Sequence, residues 1–214
     1  MQLTHEQVQQ LFSFTEKKFV RYYDLQVELV DHLAERIEEK MNEDAAVNFD
    51  MALQSVYKDF GIFGFAKIVQ EKSEQLRKQN NRRLFKEVKN LFRWPEILSS
   101  LALALFIWTF LNIADKIHLD VFYISFMLIS MGMIIWSRIK FRPSKKIMMT
   151  ENMPDHLGMI PFLYRFIFFE DFFIHNEFAF ALFMFGAIIF QVACFRISKK
   201  LRQEARDNYP VAFA

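Results

Sequence analysis

A single cysteine, Cys194, stands in an apolar run of the 214-residue sequence. That excludes a disulfide framework and any thiol pair for metal or redox chemistry, and it is compatible with a reduced cytosolic face. The sequence has no P-loop, no Gly-x-Ser-x-Gly elbow, no His-Glu-x-x-His helix and no dinucleotide fingerprint. The common nucleotide, hydrolase and zinc-protease sites are therefore not written into it. A formal net charge of +2 is too small for a nucleic-acid binder. The start, Met1-Gln2-Leu3-Thr4-His5-Glu6, lacks a basic stretch followed by an apolar core, so no cleavable signal peptide is expected and membrane insertion falls to internal segments.

The composition pairs 53% hydrophobic residues, including 27 Phe and 11 Met, with 24% charged residues. Such a mixture implies segregation. Charge is concentrated before Trp94, and uncharged apolar runs with short charged punctuation follow. The expected fold is all-α, a small cytosolic helical bundle followed by a four-helix transmembrane region. The expected divisions are a helical domain over 1–76, a basic linker over 77–93, a membrane domain over 94–197 and a cytosolic tail over 198–214.

Thr4 with Gln7 forms a capping-box pattern at the start of a first helix. Val8, Leu11, Phe12, Thr15 and Phe19 then make one stripe to bury, and Tyr22 and Tyr23 close the helix. Asp24 reads as the N-cap of a second helix. Leu29, Val30, Leu33, Ile37 and Met41 form its apolar face, whereas Glu28, Asp31 and Glu35 gather on nearly the opposite side with His32 on the flank. Asn48 caps a third helix, in which Phe49, Ala52, Leu53, Val56, Tyr57 and Phe60 follow the helical template. Gly61 marks its left-handed C-cap, and Gly64 allows a tight turn before Phe65, Ile68 and Val69 open a fourth helix. Each large buried side chain is worth roughly 1.5–3 kcal/mol, so about fifteen of them hold such a domain with little margin. From Glu71 to Arg93 the chain reads as one basic linker helix or a pair, with its charges against anionic lipid.

Four membrane spans are expected, at about 96–114, 119–137, 157–174 and 178–196. The third contains Pro161, Arg165, Glu170 and Asp171, and charge asymmetry decides it. Basic clusters follow the second span (Arg138 to Lys146) and the last (Arg196 to Arg206), whereas Glu170 to Glu177 has no Lys or Arg. Both clusters are cytosolic only if residues 157–174 cross the membrane. The expected location is the cytoplasmic (inner) membrane of a bacterium, multi-pass, with both termini in the cytosol.

Glu28, Asp31, His32 and Glu35 are the candidate partner-binding residues. Their spacing also occurs in helical metal sites, but the neighbouring helices supply only scattered carboxylates, so no metal or other cofactor and no catalytic residue is assigned. Arg165, Glu170 and Asp171 are the candidate intramembrane polar groups.

Glu28-Leu29-Val30-Asp31-His32, then Phe49, Ala52-Leu53, Phe60-Gly61 and Phe65-Ala66-Lys67-Ile68, resemble the HAAS-type helical domain of bacterial membrane proteins often encoded with PadR-type transcription regulators. The resemblance covers Tyr22 to Glu71. It departs where His32 directly follows Asp31, where no glycine stands between Glu43 and Ala46, and where Phe63-Gly64 replaces a Pro turn. It implies a cytosolic regulatory or interaction module on a membrane anchor, with a PadR-type regulator as partner and no catalytic residues to carry over. Direct nucleic-acid contact is not expected, the lipid bilayer is, and self-association is left open.

Overall fold

The computed structural model describes residues 2–44, 46–113, 116–151 and 177–214, and every regular element among them is helical. These are α1 (His5–Lys17), α2 (Tyr23–Glu43), α3 (Phe49–Lys58), α4 (Ala66–Leu91), α5 (Ile97–Ile113), α6 (Lys116–Lys140), α7 (Met148–Glu151) and α8 (Glu177–Asn208), with a 3-10 turn at Pro210–Phe213. The chain divides into two compact units. One contains Met1–Arg77, Pro143–Asn152 and Ala205–Ala214, and the other contains Lys78–Arg142 and Met153–Glu204.

In the first unit, α1 begins on the expected capping box. The Thr4 side chain accepts from the Gln7 N–H, and the Gln7 side chain accepts from the Thr4 N–H. The helix ends earlier than the apolar stripe suggests. Phe19 N–H bonds to Glu16 O and Val20 N–H to Thr15 O, with Phe19 at φ 68°, which is a Schellman ending with phenylalanine in the left-handed position. Phe19 therefore leaves the buried stripe and lies exposed, while Val20 is fully buried in its place. Tyr22 and Tyr23 open α2 instead of closing α1.

The α2 face of Leu29, Val30, Leu33 and Ile37 is buried against Leu11 of α1 and Phe49, Ala52, Leu53 and Val56 of α3 in one core. Asn48 caps α3 by accepting from Met51 N–H, and Gly61 is left-handed at φ 72°, so this helix starts and stops on local chemistry. Gly64 is also left-handed, at φ 50°. A Cβ there would overlap the Tyr57 hydroxyl and crowd its Cζ at 3.2 Å, so glycine suits the turn on two counts.

Asp24 is a correction. Helix α2 is N-capped at Tyr22, and Asp24 lies in the first turn, buried. Its carboxylate accepts from Leu25 N–H of its own first turn at 3.1 Å and also from Met148 N–H at 2.9 Å and Met149 N–H at 3.1 Å, so it caps α7 as well as serving α2. Tyr23 N–H bonds in turn to Lys146 O, and Ser144 donates to Ala212 O through both its amide and its hydroxyl. The segment 143–152 and the stretch 205–214 are thereby built into the first unit, where Ile147, Ala205 and Ala212 form a small core of their own.

In the second unit, Phe180, Met184, Ala187 and Ile188 of α8 pack with Ile107 of α5. Ile189, Ala193 and Cys194 of α8 pack with Leu84 and Leu91, which lie on the later half of α4. Residues 66–91 form one continuous helix, which resolves the choice between one linker helix and two. Four spans are expected from the sequence. Among the described residues one helix, Phe178–Asn208, is long and apolar enough to cross a membrane, and Ile97–Phe110 is a shorter apolar helix. The expected span at 157–174 lies outside the described residues.

Candidate functional site

The 3.6-residue period of α2 separates two kinds of surface. With Leu29, Leu33 and Ile37 turned into the core, Glu28, Asp31, His32 and Glu35 are all exposed. The four are not equivalent. Glu28 accepts from Lys72 Nζ on α4 at 2.6 and 2.8 Å, an exposed ion pair that contributes little stability. Asp31, His32 and Glu35 make no ion pair or side-chain hydrogen bond with any described residue, which leaves two carboxylates and an imidazole turned to solvent. Arg36, next along the helix, bonds to Asp59 Oδ2 at 2.6 Å and ties α2 to the end of α3. Lys40 does the same by donating to Ser55 Oγ at 2.7 Å. The polar side of α2 is thus anchored at its edges and unpartnered at its centre. Among the described residues no three His, Cys, Asp or Glu side chains converge into a metal-binding group.

At the start of the same helix, the Asp24 junction is polar and buried. Tyr209 sits beside it, edge-on to Tyr23 with ring centroids 6.4 Å apart. Burial, followed by the negative charges of Asp24 and Glu28, pushes the Tyr209 phenol above its ordinary value of 10.0, so it stays neutral. Lys145 lies over the Tyr23 ring at 4.4 Å. Sequence reasoning misses this junction because its partners are far apart along the chain. Asp24 itself carried a signal, since a carboxylate at that position was already read as a helix cap.

The second unit brings together polar groups that are far apart in the sequence. Glu87 on α4 is buried and meets Lys200 Nζ at 3.0 Å and Arg196 at 3.7 Å, and Arg196 also lies 3.7 Å from Glu96. Arg83 bonds to Glu204 at 2.7 Å, so part of the basic linker is neutralised within the protein and is not held for lipid. Elsewhere in the unit, Ser137 of α6 and Gln191, Ser198 and Arg202 of α8 surround a small void, with Arg202 donating to the Ser137 hydroxyl. Gln191 Oε1 and Ser198 Oγ are buried without a hydrogen-bond partner among the described residues. Arg165, Glu170 and Asp171 lie outside the described residues.

Comparison with known proteins finds no matching family model, no similar curated protein and no similar solved structure. The functional reading therefore rests on the residues themselves.

Proposed function

We propose that the chain is a non-enzymatic integral membrane protein whose first unit presents the acidic face of α2 to a protein partner and serves a regulatory role. The observation that carries this is Asp31, His32 and Glu35, exposed opposite a packed core and left without partners among the described residues. Exposed charge of one sign steers and selects a partner of the other. The HAAS-type resemblance makes a PadR-type transcription regulator the natural partner. Changing Glu28, Asp31 and Glu35 together to Ala abolishes partner capture by cross-linking while the helical content stays unchanged. Undiminished capture by the folded variant refutes the assignment.

The membrane part of the proposal is four spans with both termini in the cytosol of a bacterial cell. It is supported by α5 and α6, which expose Leu98, Leu101, Leu105 and Phe106, and Leu128, Ile129, Trp136 and Ile139. Large apolar side chains turned outward in such number suit hydrocarbon better than water. A reporter fused after Asn176 reads the topology, and a cytosolic position for it rules out the four-span arrangement.

A second reading, a small transporter or export-accessory protein, is favoured by Gln191 Oε1 and Ser198 Oγ beside Arg202, both without a hydrogen-bond partner among the described residues. The intramembrane charges expected from the sequence, Arg165, Glu170 and Asp171, belong to the same reading. Neutral replacement of those three, and of Gln191 and Ser198, that leaves ion flux in proteoliposomes unchanged counts against it.

A further inference from the structure

The left-handed backbone positions among the described residues are Phe19, Gly61 and Gly64, and each lies in or next to a segment that lines one groove on the first unit. Phe19 lines the groove directly, and the two glycines bracket Ile62 and Phe63, which line it too. The groove measures about 830 Å³. These three side chains are the most exposed apolar groups of the unit, with Ile62 at 100%, Phe19 at 79% and Phe63 at 76%. A left-handed phenylalanine is sterically disfavoured, and here that conformation turns the ring outward while Val20 takes the buried place.

The 61–64 loop stands on a fixed base. Phe65 is buried directly after it, with its ring 4.9 Å from Phe60 and 5.2 Å from Tyr57. Ile62 and Phe63 are therefore held out by a packed aromatic floor. The surrounding charge is mainly positive. Lys18 and Arg77 line the groove against the single carboxylate Glu74, while beside the loop Lys58 stands next to Asp59, which Arg36 neutralises, and Lys67 lies 3.9 Å from Glu71. Arg77 makes no ion pair with any described carboxylate. None of Asp31, His32 and Glu35 lines this groove, so it is separate from the acidic face.

An apolar tip of aromatic and aliphatic side chains within a basic rim matches the headgroup layer of an anionic bilayer, where apolar groups sink to the acyl boundary and Lys and Arg meet lipid phosphates. We propose that the Ile62–Phe63 loop tip, together with Phe19, dips into an anionic bilayer surface and docks the first unit on it. The inference rests on the reading that the chain is membrane-embedded, since tethering keeps the unit at high effective concentration near lipid.

The test uses the full chain in nanodiscs, in a Cys194→Ala background, with an environment-sensitive fluorophore on Phe63→Cys and, in a parallel sample, on Leu105→Cys in α5. In phosphatidylglycerol-containing discs the label at position 63 emits to the blue and is quenched by spin-labelled lipid, and in pure phosphatidylcholine discs the quenching falls. Arg77→Gln lowers the ratio of docked to undocked unit about fivefold in the anionic discs, as expected for one basic group near such a surface. A water-like label at 63 beside a lipid-quenched label at 105 overturns the docking and leaves the membrane reading intact. A water-like label at both positions overturns both. A blue-shifted label at 63 that lipid does not quench means that protein, such as a second copy of the chain, covers the groove, and this also overturns the proposal.

Discussion

The Asp24 carboxylate accepts the Met148 N–H at 2.9 Å across 124 residues of sequence. A side chain in the first turn of α2 thus supplies the cap of α7. Helix α7 has only four residues, too few to hold itself together by its own hydrogen bonds.

Removing that cap should loosen one segment first. Asp24→Ala leaves the Met148 and Met149 N–H groups without an acceptor and costs about 1–2 kcal/mol, the usual range for a lost cap. Amide exchange at Met148 and Met149 accelerates, whereas exchange in α3 rises only as far as global stability falls. Asp24→Asn, which retains one acceptor oxygen, lies between the variant and the wild type.

The two faces of α2 differ in their tolerance. Leu33→Ala removes a fully buried side chain and lowers stability by roughly 2–5 kcal/mol. Glu35→Ala, two residues away and exposed, stays within about 0.5 kcal/mol. Denaturant unfolding of both variants measures the contrast.

The glycines of the 61–64 turn are also unequal. Gly61→Ala meets open space and pays only for its left-handed backbone, about 1–2 kcal/mol. Gly64→Ala adds overlap with the Tyr57 ring and hydroxyl and costs more. Tyr57→Phe in the Gly64→Ala background removes the nearest atom and recovers part of the loss, which a double-mutant cycle detects.

Alkaline pH tests the Tyr209 environment. The folded protein holds the phenolic proton more tightly than the unfolded chain, so this contribution is complete below the ordinary value of 10.0 and is lost as pH rises through the elevated folded value. Thermal unfolding from pH 9 upward shows a decline in the wild type that is shallower in Tyr209→Phe, and equal slopes would contradict the assignment.

Much of the first unit was legible because it follows local rules. The Thr4–Gln7 box, the Asn48 cap, the left-handed Gly61 and the apolar periodicity of α2 and α3 each depend on neighbours within a few residues. Asp24 misled for the same reason. Local rules assign a carboxylate at a helix start to its own helix, whereas Asp24 accepts one amide there, from Leu25, and two more from residues 148 and 149. Phe19 was misplaced because its spacing continues the α1 stripe, whereas the chain turns away at Lys18. At the candidate site, periodicity was enough to place Asp31, His32 and Glu35 on the polar side. The Lys72 partner of Glu28 was not readable, because it lies on α4, 44 residues further along.

A unit assembled from Met1–Arg77, Pro143–Asn152 and Ala205–Ala214 cannot close in the order in which the ribosome delivers it. Residues 205–214 leave the tunnel on the order of ten seconds after Arg77 at ordinary synthesis rates. Until then the first three helices wait with the Ile147–Ala205–Ala212 core unfilled and the Asp24 carboxylate without its amides. Synthesis of α5, α6 and most of α8 thus precedes completion of the first unit, and any partner that recognises the finished unit meets only chains in which those apolar helices have already been made.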